Sequence, residues 1–326
     1  MLTSSDLSPG LTRPPRLRAG DRVSVVAPSG PVSRELLDKG CALLREWGLE
    51  PVLGSHVFDR HPKWDFLAGK DADRAADLQQ AMTDPTTAAV LCARGGDGAH
   101  RTLDLLDFTA LREAPPKAFV GYSDVTALHE AFAMELGRAG LHGPMPATAA
   151  FSNDAPTARG LRATLFDPES QMRLTSPTAE TLVPGTARGV LAGGNLSLLN
   201  DGMATPHSRP CAAETILLLE EVGEELRRID RMLGQLLRSG WIEGVAGIVL
   251  GSWHQCSPGP QAIRELLLER LAPLRVPVLW ELGFGHGPSQ MTVPVGVAAT
   301  LDADAATLTL EQPALTAGDG YGHTPA

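Results

Sequence analysis

Short apolar runs alternate with stretches of helical period through the first half of the chain. Residues 22–27 form a continuous, β-branched run that stops at Pro28-Ser29-Gly30, which predicts a buried strand ending in a turn. Ser33 is placed to cap a following helix whose apolar side is Leu36, Leu37, Gly40, Leu43, Leu44 and Trp47. Gly48 closes that helix and a strand begins at Pro51. The same alternation predicts helices over 71–82, 98–106 and 124–136, with strands over 88–92 and 118–121 between them. Such spacing means βαβ units on a mostly parallel sheet, an α/β fold.

Residues 151–187 break the rhythm. They are turn-rich at Ser152-Asn153-Asp154-Ala155-Pro156 and Thr175-Ser176-Pro177, with one short helix expected between, and read as a linker. The chain of 326 residues exceeds one usual hydrophobic core. The division expected is therefore an N-terminal domain over 17–150 and a C-terminal domain over 188–313. The second is predicted to hold a strand over 215–219, a helix over 224–237 and a strand over 245–251. Residues 293–301 and 307–310 alternate like a strand pair about a turn at 302–304. Residues 1–16 and 314–326 are expected to be flexible tails.

Composition narrows the functional classes. Apolar residues make up 43% and charged residues 20%, ordinary for a chain with a substantial core. The 28 basic against 38 acidic residues leave a net charge of -10, which argues against nucleic acid as the main partner. The four cysteines, Cys41, Cys92, Cys211 and Cys256, show no C-x-x-C spacing and read as free thiols in a reducing compartment. The first 18 residues lack the apolar run of a signal peptide, and no apolar segment has transmembrane length, so a cytoplasmic location without membrane partners is expected.

Four segments carry candidate chemistry. Ser123, in Gly121-Tyr122-Ser123-Asp124, stands where a buried strand meets a helix, at the rim where open α/β sheets collect ligands. The helix N-terminus behind it supplies N–H groups suited to an oxyanion. Val125 excludes the G-x-S-x-G elbow, and a plain helix cap is the competing reading. Arg94-Gly95-Gly96-Asp97-Gly98 follows another strand; it lacks dinucleotide spacing and reads either as a ligand loop or as a tight turn. An apolar strand drives into Glu220-Glu221, where an acid could orient a histidine or merely head a turn. His286, between two glycines, is an accessible imidazole suited to general base work. His142 is expected to end a strand near the same edge. No pair of histidines has zinc spacing. Arg94 and Asn195 are candidate substrate contacts.

Taken in order, these segments resemble the LD-carboxypeptidase family of serine peptidases, which includes the microcin C immunity peptidases. The resemblance is carried by Val26-Ala27-Pro28-Ser29-Gly30, Phe66-Leu67-Ala68-Gly69-Lys70-Asp71, the glycine loop, Gly121-Tyr122-Ser123-Asp124 and His142-Gly143-Pro144-Met145. It continues through Gly193-Gly194-Asn195-Leu196, Leu219-Glu220-Glu221-Val222, Arg228-Ile229-Asp230-Arg231-Met232-Leu233 and Gly285-His286-Gly287. It implies a nucleophile Ser123, a base His286, an orienting Glu220, and an oxyanion hole from the backbone N–H groups of Gly96 and Asp124. It also implies a smaller, β-rich α+β C-terminal domain, a homodimer, and no metal or organic cofactor. The substrate implied is a murein tetrapeptide that loses D-alanine from the L-centre of its diamino acid. An immunity-type hydrolase of aminoacyl or peptidyl nucleotide conjugates is the alternative, and a non-catalytic binder of small anionic ligands a second. Asp97 departs from the aromatic usual at its position. Strand alternation favours Glu220 over Glu221 as the acid that meets His286.

Overall fold

The apolar runs of the first half become strands β1 (Arg22–Val26), β2 (Glu50–Leu53), β3 (Ala89–Cys92), β4 (Ala118–Gly121) and β5 (Gly140–His142). Between them run helices α1 (Arg34–Glu46), α2 (Asp71–Thr83), α3 (Ala99–Leu103), α4 (Phe108–Glu113) and α5 (Thr126–Leu136). In this computed structural model residues 10–211 and 213–318 are described. All neighbours among β1–β5 pair in parallel. Every residue of β3 and β4 is buried, because apolar clusters cover both faces of the sheet.

Residues 151–187 are not a bare connector. Helices α6 (Ala149–Asn153) and α7 (Ala155–Phe166) lie there, and Phe151, Leu161 and Leu165 are buried in the core of the first sheet. The turn-like Asn153-Asp154-Ala155-Pro156 is a helix start. Asp154 accepts the N–H of Thr157 at 3.0 Å, and Pro156 occupies the first turn, where its missing donor costs nothing. Two short strands follow, β6 (Arg173–Leu174) and β7 (Glu180–Val183).

The second half is built on β8 (Thr186–Asn195), α8 (Leu196–Asp201), β9 (Thr215–Val222), α9 (Leu226–Arg238), β10 (Val245–His254), α10 (Pro260–Leu271) and β11 (Val278–Trp280). Strands β12 (Val293–Val295), β13 (Ala298–Asp302) and β14 (Thr307–Leu310) close it. The second sheet has eight strands in the order β6-β14-β13-β8-β9-β10-β11-β7. Its centre, β8 to β11, is parallel, and both flanks are antiparallel.

Two expectations are corrected here. Residues 293–301 are two strands in two sheets. β12 joins the six-stranded first sheet antiparallel to β5, with Val293 opposite His142, whereas β13 pairs with β8. The break is at Gly296, whose φ of 86° suits glycine, and whose N–H donates to the Leu191 carbonyl at 2.7 Å. Alternation runs on through the bend because both sides are buried. The described parts of the expected tails are also packed. Arg16 N–H donates to Thr316 and Thr316 N–H to Pro14, at 2.9 and 2.8 Å, and Ala314 and Leu315 enter the first core. Residues 1–9 and 319–326 of those tails lie outside the described residues. Among the described residues, no helix is long and apolar enough to cross a membrane.

Candidate active site

Ser123 stands two residues beyond the end of β4, at φ 64°. A non-glycine residue in this left-handed region carries strain of roughly 1–3 kcal/mol, which the surroundings must hold in place. Gly95 packs against it so closely that a Cβ there would lie 2.9 Å from the Ser123 Cβ and 3.1 Å from its Oγ. The single 3-10 turn Ser123–Val125 then leads into α5, and neither receives a side-chain cap. Ser123 is thus not an N-cap; among the described residues its Oγ makes no hydrogen bond and stays half-exposed at the strand's end.

The neighbouring Asp124 ties this turn to the glycine loop. Its buried carboxylate accepts the N–H of Ala99, the first residue of α3, at 2.8 Å. Burial raises that carboxyl to about 6, with the charge of Asp97 adding to the shift. Gly96, at φ 120°, lies against Gly30, and the Gly30 N–H donates to the Gly95 carbonyl at 3.2 Å. Among the described residues no hydrogen bond uses the Gly96 N–H, and the Asp124 N–H lies in a first turn, where donors lack an intrahelical partner. Arg94 flanks the loop and donates from Nη1 to the Pro31 carbonyl at 3.0 Å. Asp97 is exposed.

Glu220 and Glu221 point to opposite faces of β9, as the strand period requires. Glu220 is 0% exposed, and its Oε2 lies 2.6 Å from His286 Nδ1. Glu221 turns away and accepts from the backbone and hydroxyl of Ser197 at 2.9 and 2.6 Å. Burial raises the Glu221 carboxyl, whereas at Glu220 the charge and hydrogen bond of His286 overcome burial and lower it. Asn195, opposite Glu220 in the register of β8 with β9, spans both acids. Its Nδ2 donates to Glu220 Oε1 at 3.2 Å and to Glu221 Oε1 at 3.1 Å, while its Oδ1 caps α8 at Leu198. It is 2% exposed, and its side-chain polar atoms are engaged with the two acids and the start of α8.

His286 sits on the loop between β11 and β12. Gly285 at φ 96° brings the backbone so near the acid that a Cβ would meet Glu220 Oε2 at 2.5 Å. Burial works against the imidazolium, yet the charge and hydrogen bond of Glu220 outweigh it and raise the His286 pKa above the ordinary value. The side chain is 16% exposed, and its ring packs edge-on against Tyr122 with centroids 4.8 Å apart. Tyr122 Oη accepts from Gln290 Nε2 at 2.9 Å. His142 does end β5; burial lowers it to about 4, which keeps it neutral, 4.0 Å from Glu220 Oε1.

The fold therefore pairs His286 with Glu220, sets its ring against Tyr122, the residue before Ser123, and packs the glycine loop against Ser123 through Gly95. That is the equipment of acyl transfer. The sequence reading missed Tyr122 and Gln290 as neighbours of the site, and it named Asn195 without its bonds to both acids; its place between a strand and a helix start was the available signal for those. His56, Asp59 and Asp73, whose ligand atoms lie within 4.8 Å of one another, could hold a cation, but they belong to the β2–α2 connection and the first turn of α2.

The family model of the LD-carboxypeptidase N-terminal domain matches residues 23–143, and that of the C-terminal domain matches residues 188–301. The chain belongs to the LD-carboxypeptidase family. It is accordingly a hydrolase of the serine peptidase class. It is 57% identical to a putative carboxypeptidase of Streptomyces coelicolor over 305 residues, covering 94% of this chain and 98% of that one. To a probable murein peptide carboxypeptidase of Bacillus subtilis it is 36% identical over 307 residues, covering 92% and 94%. Its fold matches the muramoyltetrapeptide carboxypeptidase of Oxalobacter formigenes with a TM-score of 0.73 at 28% identity, over 89% of this chain and 97% of that one.

Proposed function

We propose that this LD-carboxypeptidase family member removes the terminal D-alanine of a murein tetrapeptide through an acyl-enzyme on Ser123. The observation that carries the reading is the 2.6 Å contact of His286 Nδ1 with buried Glu220, one ring away from a serine held at φ 64°. Glu220 keeps the Nδ1 proton on its own side, so Nε2 is the free base. His286 Nε2 takes the Ser123 hydroxyl proton as Oγ attacks the carbonyl of the diamino acid. The backbone N–H groups of Gly96 and Asp124 receive the oxyanion. The imidazolium passes its proton to the departing amine of D-alanine, and water repeats the cycle to free the tripeptide. We read Arg94, beside the glycine loop, as the partner of the substrate's carboxylate. We read the enzyme as a cytoplasmic homodimer in peptidoglycan recycling; four free, buried cysteines support a reducing compartment.

The test is mass spectrometry of L-Ala-γ-D-Glu-meso-diaminopimelate-D-Ala incubated with wild type and with Ser123→Ala. Loss of D-alanine with wild type alone is the expected result. No loss with wild type refutes the murein reading and turns attention to aminoacyl sulfamoyl-adenosine as substrate.

A further inference from the structure

The loop proposed to supply one half of the oxyanion hole has little of its own to hold it. Of the four residues after Arg94, three are glycines without side chains to pack, and Asp97 is exposed. Gly96 and Gly98 stand at φ 120° and 111°, a backbone that other residues rarely adopt. The loop's position is therefore fixed from outside.

Two buried charged side chains meet on a single peptide group of this loop. Arg74 of α2, 1% exposed, donates from Nη2 to the Gly98 carbonyl at 3.3 Å. Its Nη1 donates to the Gly69 carbonyl at 3.0 Å and its Nε to the Pro28 carbonyl at 3.1 Å, in the turn whose Gly30 lies against Gly96. Asp124, 4% exposed, accepts the Ala99 N–H at 2.8 Å. The Gly98 carbonyl and the Ala99 N–H belong to one trans peptide and point opposite ways, so Arg74 and Asp124 grip it from opposite sides.

Of the two, Asp124 belongs to the turn of the proposed nucleophile. Its backbone N–H is one donor of the proposed oxyanion hole, and its carboxylate holds the loop three residues beyond the other, Gly96. One residue thus spans both halves of the hole. The plainer role is a cap for α3, whose N-cap Gly98 has no side chain to offer. A cap acts on stability alone, which separates the two roles.

We infer that the Asp124 carboxylate is a positioning residue that sets the gap between the two oxyanion donors, with Arg74 as the opposing anchor. The inference rests on the acyl-enzyme reading, in which Gly96 and Asp124 receive the oxyanion.

The test compares wild type with Asp124→Ala and Asp124→Asn, all as the full chain and each with a thermal melt. Two rates are read: D-alanine release from L-Ala-γ-D-Glu-meso-diaminopimelate-D-Ala, and labelling of Ser123 by a small alkyl fluorophosphonate, followed by mass spectrometry. In labelling, Ser123 Oγ bonds to phosphorus, fluoride leaves, the hydroxyl proton passes to His286, and the phosphoryl oxygen takes the place of the oxyanion. Loss of one oxyanion donor costs about a hundredfold or more. Asp124→Ala is accordingly expected to lower kcat and the labelling rate about a hundredfold, with KM within about threefold. Asp124→Asn, whose amide oxygen still accepts from Ala99, recovers at least about tenfold of each loss. Asp124→Ser, too short to reach Ala99, gives the same loss as Asp124→Ala and replaces it where that variant does not fold.

A lower melting temperature with both rates within about threefold of wild type is the behaviour of a cap and overturns the inference. So does an effect confined to KM, or an Asp124→Asn no better than Asp124→Ala. Labelling that falls in Asp124→Ala, in a chain whose wild type releases no D-alanine, supports the inference and removes the murein reading. D-alanine release that is equal in wild type and Asp124→Ala does the reverse, and a wild type neither labelled nor active overturns both.

Discussion

Replacing Glu220 by Gln perturbs the site at its most buried point while conserving shape. During the reaction His286 becomes an imidazolium whose Nδ1 lies 2.6 Å from the Glu220 carboxylate. With charge centres about 4 Å apart and an effective dielectric of about 20, that attraction is worth about 4 kcal/mol. Losing it slows turnover about a thousandfold, at about 1.4 kcal/mol per decade. Asn195 adds a second effect. Its Nδ2 is a donor aimed at Glu220 Oε1, so in Glu220→Gln it holds the oxygen of the new amide and turns the NH2 toward His286. His286 Nδ1 then accepts, the ring proton moves to Nε2, and the base is lost. The assay is D-alanine release, with kcat/KM measured from pH 5 to 9 and a thermal melt as the folding control. In the wild type the acid limb lies above the ordinary histidine value, because Glu220 raises His286. In Glu220→Gln the burial that opposes the imidazolium is met only by the charge of Glu221, and the limb moves to lower pH. A folded variant with kcat/KM within about tenfold of wild type, or with an unmoved acid limb, would refute the account of Glu220 as the partner of the base.

Two more perturbations separate positioning from stability. Gly95→Ala is free of backbone strain, since Gly95 is not left-handed, but its Cβ meets Ser123 Cβ at 2.9 Å. Displacing the serine by a fraction of an ångström is expected to cost about a hundredfold in kcat, with a melting temperature near wild type; unchanged kinetics would show that the close approach is not needed. Asp124→Asn tests the buried carboxyl. Its folded value of about 6 exceeds the ordinary 3.8, so the charged form is a stability cost present at neutral pH that fades as pH falls through 6 towards 4. Removing the charge is expected to raise unfolding free energy by up to about 3 kcal/mol at pH 8 and by little at pH 4; chemical denaturation at both pH values checks the sign.

Much of the α/β layer was legible because its strands are buried on both faces and so appear as unbroken apolar runs, as in β3 and β4. The opposite facing of Glu220 and Glu221 was legible for a simpler reason, since a strand has only two sides. Three features were not. The start of α7 carries turn residues because an Asp cap and a Pro in the first turn share the vocabulary of turns. β12 is three residues long, too short for a period, and its sheet is chosen by a partner far away in the chain, the edge of β5. Asn195 was named only as a candidate substrate contact; its place between two carboxylates depends on burial, which is a tertiary property.

The crossing of β12 bears on how the site moves. The proposed base and nucleophile come from different halves of the chain, an arrangement that elsewhere allows one lobe to swing against the other. Here the segment that carries His286 is sewn, seven residues on, to β5, and β5 is bonded to β4, which ends two residues before Ser123. The span between the two groups is thus set by hydrogen bonds within a single sheet. A fragment ending near residue 187 would leave β5 as an open edge prone to pair with other chains. Opening and closing of this site must come from its loops, because the two lobes share a seam and cannot part without unravelling it.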